Sequence, residues 1–184
     1  PLKLARTLAS YGSAAAGYFG AQLATVSDRM GPGSTAPAAD ALRWLLARLD
    51  GELAVERVAE ALTVYEAEHG NVPGFGVPMR PQDERLLGMY RLLADHPATR
   101  RPAWRLHLVL AELMRRRGVE PNIIIAFAAL LTDLGLAPHR AGMMIAYLTS
   151  QNFLAHSLEG ADHDGPVLRE LPRPTLEDRS HGPR

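Results

Sequence analysis

The chain has 184 residues, of which 47% are hydrophobic, and its 20 basic residues balance its 20 acidic ones. This length and composition suffice for a packed core and exclude a largely disordered chain. The balanced charge and the short arginine clusters exclude a basic stripe for a phosphate backbone, so we expect no nucleic-acid partner. The sequence has no cysteine, which excludes disulfides, thiol nucleophiles and Cys-ligated zinc.

We expect a cytoplasmic protein without a membrane span. The apolar run that begins at Ile123 is broken by Thr132 and Asp133, well short of the ~20 residues that a spanning helix needs. The N-terminal stretch carries Lys3 and Arg6 but is interrupted by glycine where a signal sequence has its apolar region. The lack of cysteine is compatible with a reducing compartment.

Apolar residues recur at spacings of three and four between glycine or proline breaks, which predicts an all-α fold of about seven helices. The predicted helices cover residues 3–27, 38–49, 53–68, 82–95, 102–117, 122–134 and 138–158. The first is rich in glycine and alanine, so we expect it to approach a neighbouring helix closely. Residues 30–37 and 70–81 are predicted loops. Residues 1–160 form one predicted helical domain, and residues 161–184 an extended or disordered tail.

Three stretches resemble, in order, the C-terminal half of the citrate synthase and citryl-CoA lyase superfamily. The segment from Asn71 to Gly76, followed by Pro78, resembles the family loop VPGFGHP, and Asp83-Glu84-Arg85 lies where the family has Asp-Pro-Arg. Two further segments resemble the family's PNVD helix start and its WLAHxLE stretch, namely Pro121-Asn122-Ile123 and Phe153 to Glu159.

Two other matches point to the lyases in particular. Residues 129–136, Ala-Leu-Leu-Thr-Asp-Leu-Gly-Leu, resemble citryl-CoA lyases, and residues 25–31 are similar to the TIGDRFGG stretch in the lyase module of ATP-citrate lyases. The resemblance covers roughly residues 10–160. It implies the helical fold of that superfamily and coenzyme A or an acyl-CoA as substrate.

The resemblance also implies a set of binding residues. The loop residues Pro73, Gly74, Phe75 and Gly76 would approach the adenine end of coenzyme A, because a side chain there would block the ligand. Arg116 or Arg117 would face its phosphates. The substrate side would include Arg80, Arg85, Asn122 and Thr149.

Some of these residues also have a structural interpretation. Residues 70–81 can be a plain connection between helices, and Arg85 can pair with Asp83 or Glu84 at a helix start. The run Arg115-Arg116-Arg117 closes a predicted helix, where positive charge complements the carbonyl end of the dipole.

The residues that carry the family's chemistry are replaced. The loop histidine falls at Val77, the aspartate base at Ile124 and a carboxylate-binding arginine at Thr149, while Met30 or Ser34 stands where citrate synthases carry another histidine. Removing a general base or an oxyanion donor lowers the reaction rate by about 10²- to 10⁴-fold in each case. We therefore predict no catalytic residue, and we expect a structural role for His156. We also predict no metal site, since no two histidines have helical ligand spacing.

Three hypotheses remain open. The chain is a degenerate accessory subunit of a CoA-thioester-dependent assembly, an enzyme with altered chemistry using Arg85, Asn122, Thr149 or His156, or a helical dimerisation scaffold without coenzyme A. Members of the superfamily are about twice as long, so the resemblance implies a homodimer, or a heteromer with a subunit that supplies the N-terminal half. The small-residue helix around residues 8–24 is the expected contact.

Overall fold

The computed structural model describes residues 2–25, 31–77 and 80–165. These residues form eight α-helices and one 3-10 helix, with a single isolated β-bridge. In chain order the elements are α1 (Leu2–Ala9), α2 (Ala14–Leu23), α3 (Pro32–Leu49), α4 (Val55–His69), α5 (Glu84–Leu93), the 3-10 helix (Pro97–Arg100), α6 (Pro102–Arg116), α7 (Ile123–Asp133) and α8 (Pro138–His163). The all-α prediction is confirmed.

The first predicted helix is two helices in the structure. Between α1 and α2 the chain passes through Gly12, whose φ of +87° is incompatible with a continuing right-handed helix. Ser13 then caps the new helix, since its Oγ accepts a hydrogen bond from Ala16 N at 3.2 Å. The prediction of one long helix followed the small residues on both sides of Gly12 and gave too little weight to the turn residues Gly12 and Ser13.

Two helix ends also differ from expectation. Helix α3 begins at Pro32 and includes Pro37, so the predicted loop at residues 30–37 is wrong for its described part; proline at the first turn is compatible with a helix start. Helix α8 continues past Gly160 to His163. A Cβ on Gly160 would lie 2.7 Å from the carbonyl oxygen of Arg6, so this glycine permits close packing instead of ending the helix.

The chain divides into two compact units. In the larger unit, residues 24–149, helices α3, α4, α6 and α7 surround one core, whose largest buried side chains include Leu42, Leu62, Trp104, Leu110 and Ile125. Helix α6 has no capping side chain of its own at its N-terminus. Asp133, the last residue of α7, fills that role by accepting hydrogen bonds from Ala103 N and Trp104 N at 2.9 and 2.8 Å.

The smaller unit contains α1, α2 and the part of α8 from residue 150 onward. Its described buried apolar side chains are only Ala5, Ala9, Ala21 and Phe153. Gly17 of α2 lies so close to α1 and α8 that a Cβ would meet Ala5 O at 2.4 Å and Ser157 Oγ at 2.9 Å. Small residues therefore replace a large core in this unit.

Among the described helices, none is long and apolar enough to cross a membrane. Residues 1, 26–30, 78–79 and 166–184 lie outside the described part of the chain. Most of the match at residues 25–31 and most of the predicted tail fall there. The division into a domain at residues 1–160 and a tail at 161–184 stays a prediction.

Candidate functional site

The loop between α4 and α5 is tied to the residues that precede α7. Gly76 N donates to Glu120 O at 2.7 Å, and Phe75 forms the isolated antiparallel bridge with Pro121. Asn122 N donates to Gly74 O at 2.9 Å, and Asn122 Nδ2 donates to Gly76 O at 3.0 Å. These bonds join residues 74–76 to residues 120–122, two segments that resemble separate motifs. We call this candidate site the junction.

Asn122, predicted as a substrate residue, holds this junction. Besides its two bonds to the loop, its Oδ1 accepts a hydrogen bond from Ile124 N at 2.9 Å and caps α7. An asparagine side chain has one carbonyl and one amide group, and both make bonds within the chain. The structure therefore gives Asn122 a structural role, and its predicted contact with substrate stays a prediction.

The two loop glycines have different surroundings. Gly74 has φ +94°, and a Cβ there would lie 2.7 Å from Ile125 Cβ and 2.8 Å from Ile125 N. Gly76 has φ +91°, but a Cβ there would meet nothing within 4 Å. Packing inside the chain explains why residue 74 must be glycine, whereas only Gly76 leaves room for a ligand to approach the backbone.

Asp83 joins the starts of two helices. Its Oδ1 accepts from Arg85 N at 3.1 Å and caps α5, while its Oδ2 accepts from Ile123 N, at the start of α7, at 3.0 Å. Burial raises the pKa of Asp83, but hydrogen bonds from Arg85 and Ile123 N together outweigh it, so this pKa lies below its ordinary value. The carboxylate is a fixed anchor beside the loop.

Of the predicted arginines, Arg85 is the one bound to this anchor. Its Nε and Nη2 donate to the two carboxylate oxygens of Asp83 at 2.9 and 2.8 Å, and its side chain is still 72% exposed. Arg80 pairs with Glu84 at 3.1 Å on the surface, and Arg116 pairs with Glu112 one turn earlier in α6.

Thr149 is half-buried in α8, where its hydroxyl donates to Ile145 O at 2.8 Å. This backbone bond is the common arrangement for a threonine inside a helix. Its predicted role in substrate binding stays a prediction.

Two of the positions at which the resemblance implies catalytic residues are apolar and adjacent to the loop. Val77 directly follows Gly76, and Ile124 lies in the first turn of α7, next to the isoleucine that packs on Gly74; both are half-buried. Neither side chain can accept or donate a proton. The loop and the start of α7 therefore carry no ionisable group at these two positions.

Sequence reasoning missed a buried polar cluster on α5 and α6. His107 is fully buried; its Nε2 lies 3.1 Å from the Tyr90 hydroxyl, and its ring packs edge-on against Trp104 at 4.4 Å between centroids. Burial lowers the pKa of His107 to about 4 and raises that of Tyr90 to about 12. The two residues are 17 positions apart, and no motif marks them.

This cluster leads towards the loop. Arg115 acts on Tyr90 electrostatically and bonds Glu120 through Nε at 3.0 Å. The carbonyl of Glu120 in turn accepts the hydrogen bond from Gly76 N. Glu120 therefore links this cluster to the loop, through its carboxylate to Arg115 and through its carbonyl to Gly76.

Among the described residues, no group of three or more histidine, aspartate or glutamate side chains is arranged to hold a metal ion. His156 Nδ1 lies 3.8 Å from Glu159 on the same helix. A groove of about 440 Å³ lies between Arg48 and Val64, and one of about 360 Å³ between Leu93 and Leu134. Neither includes a residue of the loop.

No protein-family model and no curated protein matches the sequence. Solved structures are similar to the chain, and two of them are described here. A citryl-CoA lyase from Hydrogenobacter thermophilus superposes with a TM-score of 0.59 at 20% identity, covering 98% of this chain and 69% of the lyase. A citrate synthase from Thermotoga maritima superposes with a TM-score of 0.63 at 19% identity, covering 99% of this chain and 50% of the synthase.

Proposed function

We propose that this chain, which has the citrate synthase-like fold, is a degenerate accessory subunit of an assembly that acts on CoA thioesters. The observation that carries the proposal is the junction of the loop with α7. It keeps an open glycine, Gly76, beside apolar side chains at Val77 and Ile124. Such a site is suited to binding a ligand and unsuited to proton transfer.

The chemistry of the resemblance requires a base and a group that stabilises the enolate oxygen. Asp83 is the carboxylate bonded to the start of α7, yet it accepts four hydrogen bonds from Arg85 and Ile123 N, which lower its pKa and its basicity. His107 and Tyr90 are engaged with each other in the interior. None of these groups replaces the missing set.

Coenzyme A is the proposed ligand. Gly76 would let it approach the loop backbone, with Pro73 and Phe75 as neighbours. Arg116, whose side chain is 61% exposed, would serve its phosphates. Arg116 and Glu112 form an exposed ion pair. Such pairs contribute only about 0–1 kcal/mol to stability, so replacing Glu112 by a phosphate as the partner of Arg116 costs little.

The partner in this proposal supplies the catalytic side chains. The chain spans half the length of the synthase it resembles. The remaining helices of the fold would therefore come from outside residues 1–184. The assembly would be a heteromer with a subunit that supplies them, or it would be built on a homodimer of this chain. A chain without cysteine needs no oxidising compartment, and we place the assembly in the cytoplasm.

Binding of coenzyme A tests the proposal directly. Calorimetric titration with CoA and acetyl-CoA should give binding by the chain, or by its mixture with a citrate synthase-like partner. Gly76→Ala should weaken that binding at least about tenfold, because the added Cβ occupies the approach to the backbone.

Gly135→Ala is the matched control. Gly135 has φ +80° and open surroundings like Gly76, but it follows the opposite end of α7. Both substitutions carry the same backbone strain, so equal losses would assign the effect to strain and contradict the loop site. No binding in any mixture would contradict the proposal.

A second candidate is a helical scaffold that no longer binds coenzyme A. It is favoured by Gly74 and Asn122, whose surroundings are explained by packing and hydrogen bonds inside the chain. In this case titration gives no heat, and Gly74→Ala disturbs folding alone.

An enzyme with altered chemistry is the third candidate, favoured by Arg85. Asp83 engages Nε and Nη2 of its guanidinium, which orients the side chain and leaves Nη1 for a substrate carboxylate. Turnover of an acyl-CoA by the purified chain, lost in Arg85→Lys, would support it.

A further inference from the structure

Three consecutive arginines at the C-terminal end of α6 each form an ion pair with a different partner. The pairs are Arg115 with Glu120, Arg116 with Glu112 and Arg117 with Glu66. The first partner precedes α7, the second lies one turn earlier in α6, and the third lies in α4. Only the first pair reaches the junction, so the three arginines differ in what they hold in place.

Glu120 belongs to the junction through its main chain. Its carbonyl oxygen accepts the hydrogen bond from Gly76 N at 2.7 Å, while its carboxylate accepts a hydrogen bond from Arg115 Nε at 3.0 Å. Both groups belong to one residue, so the bond that holds the carboxylate also limits the movement of the main chain that bonds Gly76.

The guanidinium of Arg115 also interacts with Tyr90 on α5. Burial raises the pKa of the Tyr90 hydroxyl to about 12, and Arg115 opposes that rise, so the guanidinium lies close to this hydroxyl. The same hydroxyl contacts Nε2 of the fully buried His107 at 3.1 Å. Because a planar guanidinium presents its N–H groups in fixed directions, Arg115 connects a side chain fixed in the interior with the junction.

We propose that Arg115 is a positioning residue, which holds Glu120, and through it the Gly76 backbone, in the orientation that accepts coenzyme A without itself touching the ligand. The neighbouring Arg116 remains the arginine for the phosphates. The binding readout of this role rests on the coenzyme A site proposed above. Its exchange readout is independent of that site.

Arg117 is the matched control for Arg115. Both ion pairs lie at the same helix end and are exposed to a similar extent, 41% and 29% for Arg115 and Glu120, against 43% and 26% for Arg117 and Glu66. Arg117 bonds α4 instead of the junction. Arg115→Gln and Arg117→Gln therefore both remove a partly exposed ion pair, and only the first removes the bond to Glu120.

Amide hydrogen exchange of the folded chain measures the positioning without any ligand. In Arg115→Gln the Gly76 amide should exchange about threefold to tenfold faster relative to the amide of Leu110, in the core of α6. Arg117→Gln should change this ratio by less than about twofold. A ratio that is unchanged in Arg115→Gln, or raised equally in both variants, would overturn the proposal.

Titration with coenzyme A separates positioning from contact with the ligand. An ammonium group can pair with a phosphate, but it does not reproduce the fixed directions of a guanidinium. Arg116→Lys should therefore restore most of the affinity that Arg116→Gln loses. Arg115→Lys should stay as weak as Arg115→Gln, about threefold to tenfold below the wild type. Full affinity in Arg115→Lys would assign Arg115 a direct charge contact with the ligand and contradict its positioning role.

The two readouts keep the possible failures apart. A wild-type chain that binds no coenzyme A, alone or with a partner, contradicts the proposed function, and the exchange of the Gly76 amide still decides the role of Arg115. Wild-type binding that Arg115→Gln retains in full overturns the positioning role and leaves the proposed function standing.

Discussion

The two compact units differ in how their helices are held together. In residues 24–149 the core contains large side chains from four helices, with Trp104, Leu110 and Ile125 at most 2% exposed. In the smaller unit the interior consists mainly of alanines and glycines, while Phe19 and Leu23 are exposed. Burial of apolar area is the main stabilising term, so the larger unit has its own source of stability.

This difference bears on function. The larger unit holds the loop, α7 and the polar cluster behind them, so a candidate binding site belongs to the part with a complete core. The smaller unit presents apolar surface instead of chemistry. The proposed role within an assembly rests on these two features, the hydrogen-bonded loop of the larger unit and the exposed apolar side chains of the smaller one.

Trp104→Ala should have the largest effect on stability. Removing a fully buried tryptophan costs about 3–5 kcal/mol, measured as the free energy of unfolding in urea. Phe19→Ala is the matched aromatic control and should cost less than about 1 kcal/mol in dilute, monomeric protein, because surface substitutions have small effects. Similar losses in both variants would contradict the contrast between the units.

Acid should destabilise the larger unit through His107. The pKa of this side chain falls from 6.5 to about 4 on folding because burial disfavours its charged form. Between these pH values the unfolded state binds more protons, so stability is full above pH 6.5 and falls by up to about 3 kcal/mol as pH drops to 4. His107→Gln should flatten this dependence in urea titrations from pH 7 to 4.5.

Other groups near His107 do not produce the same window. Tyr90, whose hydroxyl contacts the ring and whose pKa burial raises to about 12, stays protonated across it. The lowered pKa of Asp83 reduces stability only as the pH falls below the ordinary value of 3.8. Burial raises the pKa of Asp133, so this group makes the folded state more stable as the pH falls, which is the opposite of the effect of His107. An unchanged slope in His107→Gln would show that another group is responsible.

Gly74→Ala should destabilise the larger unit more than Gly76→Ala. Both glycines have positive φ, which costs an alanine about 1–2 kcal/mol. Only at residue 74 does the Cβ also collide with Ile125, and such overpacking adds about 1–3 kcal/mol. Thermal unfolding of the two variants measures the difference, and equal melting temperatures would contradict the packing role of Gly74.

Asp83→Asn should have a smaller effect on stability than Trp104→Ala or Gly74→Ala. It removes charge-assisted hydrogen bonds worth about 1.5–3 kcal/mol, since the 4% exposed carboxylate binds Arg85 and the start of α7. Hydrogen exchange in α5 should speed up. Glu84→Gln, in an exposed pair with Arg80, should change stability by less than about 0.5 kcal/mol; a larger change there would contradict the distinction.

The sequence predicted the fold class and most helices, because apolar spacing and end signals are local. Asn122 and Gly135 correctly marked the two ends of α7. The break between α1 and α2 at Gly12 was missed because small residues lie on both sides of it. The start of α3 at Pro32 was missed because residues 30–37, which include Pro37, were interpreted as a loop. Fold and helix positions thus followed from local patterns with errors at the ends.

The site was less predictable because it depends on contacts distant in the chain. The collision that fixes Gly74 involves Ile125, and the cap of α6 comes from Asp133, about 30 residues away. The resemblance located the loop, but it could not separate a glycine needed for packing from one with open space. That distinction requires coordinates.

A thiol-release assay with acetyl-CoA tests the central claim, binding without chemistry, most directly. Because the chain has no cysteine, a thiol reagent detects only coenzyme A set free from the thioester. With acetyl-CoA and a keto-acid acceptor both present, we predict binding of acetyl-CoA with no release above background by the chain alone, and release only when a citrate synthase-like partner is added. Release by the purified chain alone, proportional to its concentration and lost in Gly76→Ala but kept in Gly135→Ala, would contradict the account.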